Sequence, residues 1–312
     1  MSVERVVVIG ASAGGLEPLK ILAHNLRSHP STAYFVVLHL SPSGRSFLAN
    51  ILAAAGRLPA VQAVDGTLIE SGKIYVPEPD RHMYLERSHV RSVRGPKENR
   101  HRPSVNTLFR SAARIYGKDS VGVVLSGVLD DGTVGLWEIK RAGGITIVQC
   151  PDEATFDAMP RSAIDNVQID YVVPVSEIAS IVNSLVGDSA RIHEPHREES
   201  KLERELTGLT CPECRGPLNE QKLGRVLQLE CRVGHVYSPE SALDAHEDTQ
   251  ERTLWGAVVA LEEGADLALR LIETHPDSAP ALREAADEKR THAQTIRQMV
   301  TGSRKRARVT PV

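Results

Sequence analysis

The chain has 312 residues, enough for one full domain with a good core and a smaller second part. Its composition is that of an ordinary globular protein, with 41% hydrophobic and 25% charged residues, and its formal net charge of −3 predicts no binding to nucleic acid. The sequence shows neither an apolar run of about 20 residues nor the features of a signal peptide, which predicts a cytoplasmic protein without membrane insertion.

The first strand and its turn are the most informative stretch of the chain. Residues 5–9 are mostly β-branched and apolar and predict a buried strand, and Gly10-Ala-Ser-Ala-Gly-Gly15 predicts a tight turn into a helix over 16–26. Ser12 lies on this turn, beside helix N–H groups that lack partners and stabilise negative charge. The spacing Gly10-Ala-Ser12-Ala-Gly14 also fits the G-x-S-x-G pattern of a nucleophilic serine.

The alternative interpretation of this turn is a phosphate-binding loop of a dinucleotide-binding fold. That motif needs glycine where Ser12 stands, and it needs an acidic residue at the end of the second strand, where Tyr34–Leu38 is followed by His39. Both departures favour a nucleophile over a nucleotide turn.

Strand and helix patterns alternate as far as residue 187. They predict an α/β fold with a doubly wound, mostly parallel sheet whose ligand lies at the carboxyl ends of the strands. The predicted elements are a helix over Ser46–Ala55, antiparallel hairpins over Val61–Val93, a helix from about 102 to Tyr116 capped by Ser104, a strand over Val121–Leu125, a helix ending at Ala142, a strand over Ile145–Gln149, a loop over Asp152–Pro160, a strand over Tyr171–Val173 and a helix over Ser176–Leu185.

Three kinds of polar side chain follow the ends of predicted strands. They are Ser12, His39 and the pair Asp130 and Asp131. Serine, imidazole and carboxylate are the attacker, the general base and the group that orients the base in a nucleophilic hydrolase. Taken singly, His39 also fits a surface histidine and the aspartates fit helix caps, but their common location favours a catalytic site.

Five sequence blocks follow one another in the first part of the chain: Gly10–Gly15, the strand ending in His39, His101-Arg-Pro-Ser-Val105, Ser126-Gly-Val-Leu-Asp-Asp-Gly132 and Ala158-Met-Pro160. Together they resemble the catalytic domain of CheB, the chemotaxis-receptor methylesterase. The resemblance covers about residues 1–187 and implies hydrolysis of glutamyl methyl esters on chemoreceptors, often with deamidation of receptor glutamines, and no cofactor for catalysis. It implies that Ser12 is the nucleophile, His39 the base and Asp131 the orienting carboxylate, with the backbone of Ala13 and Gly14 and residue Val128 supporting the oxyanion.

Three departures from the family pattern affect regulation and substrate more than chemistry. The family usually carries an N-terminal receiver domain, whereas the catalytic strand here begins at residue 5, which predicts a site that is either constitutively open or covered by another element. The loop Gly127-Val-Leu-Asp-Asp-Gly132 replaces Gly-Met-Gly-x-Asp-Gly, and Asn106 replaces the aspartate that usually follows Arg-Pro-Ser-Val.

The segment after residue 187 predicts a second, smaller part of the chain. Residues 188–209 are charged and predict a linker or a solvated helix, and residues 210–238 contain three of the four cysteines. Cys211, Cys214, Cys231 and His235 have the spacing of a structural zinc knuckle. The alternatives are a cluster of reduced cysteines, or zinc with water in place of His235.

Residues 239–301 have apolar residues at intervals of three and four, which predicts an antiparallel helical hairpin, and residues 302–312 form a basic tail. The unassigned apolar stripes predict that the region after 188 either masks the catalytic edge or docks the enzyme on a signalling partner. Two competing functions also stay open: a non-enzymatic signalling adaptor that keeps the fold, and an esterase for small acyl esters.

Overall fold

The computed structural model describes residues 3–39, 44–187 and 205–303. The chain divides into two compact units, residues 1–242 and 243–312, and each is described by itself. Within the described parts of the chain, no helix combines the length and the apolar character needed to cross a membrane. The basic tail from residue 304 and most of the predicted linker, residues 188–204, lie outside the described residues.

The first unit is built mainly from alternating strands and helices. In chain order these are β1 (Arg5–Ala11), α1 (Leu16–Asn25), β2 (Thr32–Leu38), α2 (Leu48–Ala55), β3 (Ala60–Ala63), β4 (Ile74–Pro77), β5 (His82–Leu85), β6 (Val90–Val93), α3 (Val105–Tyr116), β7 (Ser120–Val124), α4 (Thr133–Arg141), β8 (Ile145–Gln149), α5 (Ala158–Asn166), β9 (Tyr171–Val173) and α6 (Val175–Gly187).

Seven of these strands form one sheet in the order β3-β4-β2-β1-β7-β8-β9, and every neighbouring pair is parallel. The predicted doubly wound α/β fold is therefore confirmed. Successive side chains of β1 point to opposite faces. Val7 and Ile9 join the core under α1, α2 and α6, while Val6 and Val8 join the core under α3, α4 and α5. Burial on both faces explains the nearly continuous apolar sequence of the central strands.

Two sequence predictions in this unit are wrong. Residues 61–93 do not form only hairpins, because β3 and β4 pair in parallel and extend the main sheet, and only β5 and β6 form an antiparallel hairpin. The predicted loop over Asp152–Pro160 ends early, because α5 begins at Ala158 and buries Met159 in the core. In both cases contacts with distant residues decide the structure, which a short local pattern does not reveal.

A second sheet begins at residue 205 and belongs to the first unit. Its strands are β10 (Glu205–Thr210), β11 (Pro217–Leu223), β12 (Val226–Cys231) and β13 (Val236–Tyr237), and they pair in that order as an antiparallel sheet. Residues 205–209, at the end of the predicted linker, thus form most of β10. The β11–β12 hairpin packs Leu223 and Val226 against Val134 and Trp137 of α4. We call residues 205–238 the Cys/His module.

The helical hairpin is also present. Helix α7 spans Pro239–Leu271 and helix α8 spans Ala279–Ser303. Within the second unit the two helices pack through the small residues Ala265, Ala268 and Ala286. Ion pairs at 3.2 Å (Arg290 to Asp266) and 2.8 Å (Arg297 to Glu262) cross the pair. Because these charges are exposed to solvent, the ion pairs contribute little to stability and mainly determine how the two helices are paired.

Candidate active site

The candidate site lies where the winding of the main sheet reverses direction. Strand β1 has β2 on one side and β7 on the other, and the chain passes from one side to the other between them. Ser12 directly follows β1, His39 directly follows β2, and Asp131 lies in the loop between β7 and α4. Parallel strands end at one edge of the sheet, and this reversal is where such folds bind their ligands. The three side chains are brought together at that place.

Ser12 is held in a tight turn. Its backbone N–H donates to the Ser126 carbonyl at 3.0 Å, and its side chain is almost buried, with 8% of the residue exposed. Gly127 allows this close approach, because a Cβ at Gly127 would lie 2.8 Å from the Ser12 Cβ and 2.0 Å from the Met159 sulfur. The glycine is therefore required for the serine to occupy its position.

His39 joins the serine to the carboxylate. Its Nδ1 lies 3.1 Å from the Ser12 Oγ, and its Nε2 lies 2.8 Å from the Asp131 Oδ2. Only 5% of the His39 side chain is exposed. A carboxylate can only accept a hydrogen bond, so the neutral ring keeps its proton on Nε2 and Nδ1 is free to accept the serine proton.

Asp131 is buried and bonded to more than the histidine. Its two oxygens also accept hydrogen bonds from the Ser104 hydroxyl at 3.0 Å, the Val105 N–H at 2.7 Å and the Asn106 N–H at 3.0 Å. Burial opposes ionisation, but the hydrogen bond and charge of His39 outweigh it and hold the pKa of Asp131 below its usual value. Asp131 therefore caps α3. The predicted cap, Ser104, makes no capping hydrogen bond itself.

The neighbouring Asp130 is in a different environment. It is buried, and within the described residues its Oδ1 has no hydrogen-bond partner. Burial raises the pKa of Asp130 to about 7, against a smaller opposing effect of the hydrogen bond from Ser238. The pKa values of two adjacent carboxyl groups are thus shifted in opposite directions, and the one with the lowered pKa contacts the histidine.

The candidate oxyanion donors lie beside Ser12. Within the described part of the chain, the backbone N–H groups of Ala13, Gly14 and Val128 make no hydrogen bond, whereas the Gly15 N–H donates to the Ser12 carbonyl at 3.0 Å. Gly14 has a φ of 70°, and a Cβ there would lie 2.7 Å from the Thr155 Cβ. The turn therefore leaves backbone donors free next to the nucleophile.

The block His101–Val105 contributes to the site in ways that its sequence does not predict. Besides the contacts of Ser104 and Val105 with Asp131, the His101 ring stacks on the His39 ring, with centroids 3.6 Å apart and planes at 10°. Burial and then the charge of His39 lower the pKa of His101 to about 4, so His101 is neutral at neutral pH. The sequence signal for the role of His101 was its place in this five-residue block, where the histidine had no other assigned function.

Asn106, at the position where the family usually has aspartate, holds the start of α4. Its side-chain oxygen accepts hydrogen bonds from the Gly132 N–H at 2.9 Å and the Gly135 N–H at 2.8 Å. A carboxylate oxygen would accept the same bonds, so the departure from the family pattern leaves this part of the scaffold intact.

A second cluster in the Cys/His module has the geometry of a metal site. The ligand atoms of Cys211, Cys214, Cys231 and His235 all lie within 4.8 Å of one another. The Cys214 and Cys231 sulfurs are 3.6 Å apart, and His235 Nδ1 lies 3.7 Å from the Cys211 sulfur and 3.5 Å from the Cys231 sulfur. Tetrahedral coordination with bonds of about 2.0–2.3 Å gives edges of roughly 3.5–3.8 Å. The four residues therefore fit one tetrahedral ion.

Two features support the same cluster. Backbone N–H groups of Cys214 and His235 donate to the sulfurs of Cys211 and Cys231 at 3.5 and 3.3 Å, which holds both sulfurs in place toward the cluster. The Glu213 carboxylate lies 3.3 Å from Nε2 of His235, and a carboxylate in this position orients a ligating histidine.

Comparisons with known proteins agree on the first part of the chain. Residues 7–182 match the model of the CheB methylesterase family. The protein-glutamate methylesterase/protein-glutamine glutaminase 3 of Geobacter metallireducens is 39% identical over 190 residues, which are 59% of this chain and 53% of the relative. The corresponding protein of Yersinia pestis is 37% identical over 183 residues, 57% of this chain and 52% of its own length.

A solved structure gives the same result for the fold. The crystal structure of the CheB methylesterase catalytic domain of Thermotoga maritima superposes with a TM-score of 0.56 at 31% identity, covering 58% of this chain and 98% of that domain. The chain spans about half the length of the curated relatives it matches. Because the family match takes in more than half of its residues, the chain belongs to the CheB methylesterase family.

Proposed function

We propose that this protein is a protein-glutamate methylesterase that hydrolyses glutamyl methyl esters on a chemoreceptor or a related signalling protein. The observation that carries the proposal is the hydrogen-bonded series from Ser12 Oγ through both nitrogens of His39 to Asp131, at 3.1 and 2.8 Å. The family and the names of the relatives supply the substrate class.

In the first half of the reaction Ser12 Oγ attacks the ester carbonyl while its proton passes to His39 Nδ1. Asp131 stabilises the imidazolium through Nε2, and the N–H groups of Ala13 and Gly14 donate to the oxyanion. The tetrahedral intermediate then collapses. His39 returns the proton to the departing methoxide, so methanol leaves and the glutamyl group is esterified to Ser12.

In the second half water replaces the alcohol. His39 Nδ1 takes a proton from the attacking water, and the second tetrahedral intermediate releases Ser12 with that proton. The products are a glutamate carboxylate and the free enzyme. Every step uses groups of this chain and water, so catalysis requires no cofactor.

Methanol release from a methylated receptor tests the proposal. Ser12→Ala removes the attacking oxygen and is expected to lower the rate by roughly 10⁴-fold or more, while Ser88→Ala, an exposed serine away from the site, retains the wild-type rate. Equally slow release by wild type and Ser12→Ala would contradict the esterase and favour a signalling adaptor. Ser12-dependent turnover of small acyl esters without release from receptor would favour the small-ester alternative.

Deamidation of glutamine is a second activity of the same site. The relatives carry both activities in their names, and the two reactions share the glutamyl-serine intermediate. The leaving group is then ammonia, which needs the proton from His39 even more than methoxide does. Ammonia release that disappears with Ser12→Ala tests this activity separately from the esterase.

For the Cys/His module we propose a structural zinc ion held by Cys211, Cys214, Cys231 and His235. Three thiolates and one imidazole are the ligand set of closed zinc sites. Four protein ligands leave no open position for water or substrate, so the ion would stabilise the module without taking part in the reaction.

A further inference from the structure

The Cys/His module reaches the catalytic histidine through a single turn, residues 98–101. The turn is closed by two backbone hydrogen bonds, from Glu98 N–H to the His101 carbonyl at 3.2 Å and from His101 N–H to the Glu98 carbonyl at 3.0 Å. His101, its last residue, stacks on His39. The position of this turn therefore determines where the His101 ring lies over His39, the general base.

The turn is not a conformation that these residues adopt freely. Its central residues, Asn99 and Arg100, have φ values of 48° and 68°. Left-handed backbone is costly for residues other than glycine, and it persists where surrounding contacts hold it. Asn tolerates it better than Arg does. The turn thus needs support from outside itself.

One side of that support comes from the catalytic domain. Glu98 is 5% exposed and accepts hydrogen bonds from the Thr107 hydroxyl at 3.2 Å and from Arg110 at 3.1 and 2.9 Å. These contacts fix the first residue of the turn to α3.

The other side comes from the Cys/His module. Asn99 is 3% exposed; its N–H donates to the Val236 carbonyl at 2.8 Å, and its side-chain oxygen accepts from the Ser238 N–H at 2.9 Å. The Val236 N–H donates to the Lys97 carbonyl at 3.3 Å. Val236 directly follows the cluster residue His235, so the turn is bonded to the strand that leaves the metal site.

A third contact joins the same two regions. The Lys97 ammonium lies 3.3 Å from the Glu213 carboxylate, which also lies 3.3 Å from His235 Nε2. Lys97, next to the turn, is thus paired with Glu213, the carboxylate that orients His235 of the cluster.

We propose that His101 is a positioning residue for the general base and that the Cys/His module holds it there through Asn99. The inference rests on the proposed function, since it concerns the same reaction. The neutral His101 ring fixes the plane of the His39 ring and keeps water from one of its faces. A residue that acts only by holding the general base affects the chemical step, so its loss is expected to lower kcat and to leave KM unchanged.

The test uses full-length protein, steady-state hydrolysis of a small ester and fluorophosphonate labelling of Ser12. His101→Ala is expected to lower kcat by about 10-fold with unchanged KM. His101→Phe, which keeps a flat neutral ring, is expected to stay within about threefold of wild type. Wild-type kcat in His101→Ala, or equal loss in both variants, would overturn the positioning role.

The contribution of the module is tested at Asn99. Asn99→Gly removes only the side-chain acceptor and suits the left-handed backbone, whereas Asn99→Asp keeps an acceptor oxygen. Asn99→Gly is expected to lose kcat to the same extent as His101→Ala and to show faster amide hydrogen exchange at residues 97–101 and at Ser238. Asn99→Asp is expected to show neither change. Unchanged exchange in Asn99→Gly would overturn the link to the module. Absence of Ser12 labelling in the wild type would instead identify a failure of the proposed function.

Discussion

At the scale of single residues, two adjacent aspartates offer a matched pair of variants. Asp131 contacts His39, whereas Asp130, which is also buried, contacts Ser238. Asp131→Asn places an amide against Nε2, which no longer holds the ring proton there. We expect kcat to fall by roughly 10³–10⁴-fold in Asp131→Asn and by less than about threefold in Asp130→Asn. Equal kcat values for the two variants, both folded by circular dichroism, would exclude Asp131 as the orienting group.

The raised pKa of Asp130 predicts a pH-dependent stability. The folded protein keeps this carboxyl protonated up to about pH 7, while the unfolded chain ionises from about pH 4. Between these values the unfolded state binds fewer protons, so the contribution of Asp130 to the free energy of unfolding falls as pH rises. The side chain in Asp130→Asn cannot ionise, so this variant lacks the decrease in the free energy of unfolding that Asp130 causes as pH rises.

Urea unfolding at several pH values measures the effect. Relative to wild type, Asp130→Asn should gain stability between pH 4 and pH 8, by at most about 4 kcal/mol. The low pKa of Asp131 acts in the opposite direction, but it is common to both proteins and cancels in the difference. A difference that stays constant over this range would show that Asp130 ionises as an ordinary carboxyl does.

At the scale of elements, the sequence predicts the site correctly where a strand is directly followed by a residue with a reactive side chain. The ends of β1 and β2 carry Ser12 and His39, and parallel strands bring such ends together whatever their spacing in the chain. The same reasoning failed for β3 and β4, whose four residues each give no reliable local pattern. It also missed His101, because the turn that places this ring depends on Val236 and Ser238, more than 130 residues away.

The Cys/His module yields an element-scale prediction about metal. Purified protein should contain about one zinc per chain, since four ligands hold one tetrahedral ion. Cys214→Ser should lose it and expose residues 205–238 to limited proteolysis, because metal binding contributes directly to folding of such small modules. Cys150→Ser, outside the cluster, is the control and should keep the metal. If protein purified without chelators contains no zinc, the zinc prediction is wrong and the three cysteines form only a reduced cluster.

At the scale of the whole molecule, the C-terminal region has two parts with different expected roles. The Cys/His module packs within residues 1–242, whereas α8 and most of α7 form a separate unit. We propose that these helices dock the enzyme on a signalling partner. A chain ending at Ala242 should then hydrolyse a small ester within about twofold of full length and act more slowly on receptor. Faster hydrolysis of the small ester would instead indicate masking by the helices.

A chain ending at Gly187 separates the two parts. It lacks the contacts of Val236 and Ser238 with the turn at residues 98–101, so we expect lower small-ester turnover than for the chain ending at Ala242. Both truncated proteins must first show a cooperative melting transition. Equal turnover of the two would mean that the module does not support the site.

The central claim is that Ser12 is an activated nucleophile, and covalent trapping tests it most directly. Full-length protein is treated with a fluorophosphonate, and the tryptic peptides are analysed by mass spectrometry. The account predicts a phosphonyl group on the peptide containing Ser12, with labelling strongly slowed in Asp131→Asn and absent in Ser12→Ala. An unlabelled Ser12, or labelling that is equally fast in Asp131→Asn, would contradict it.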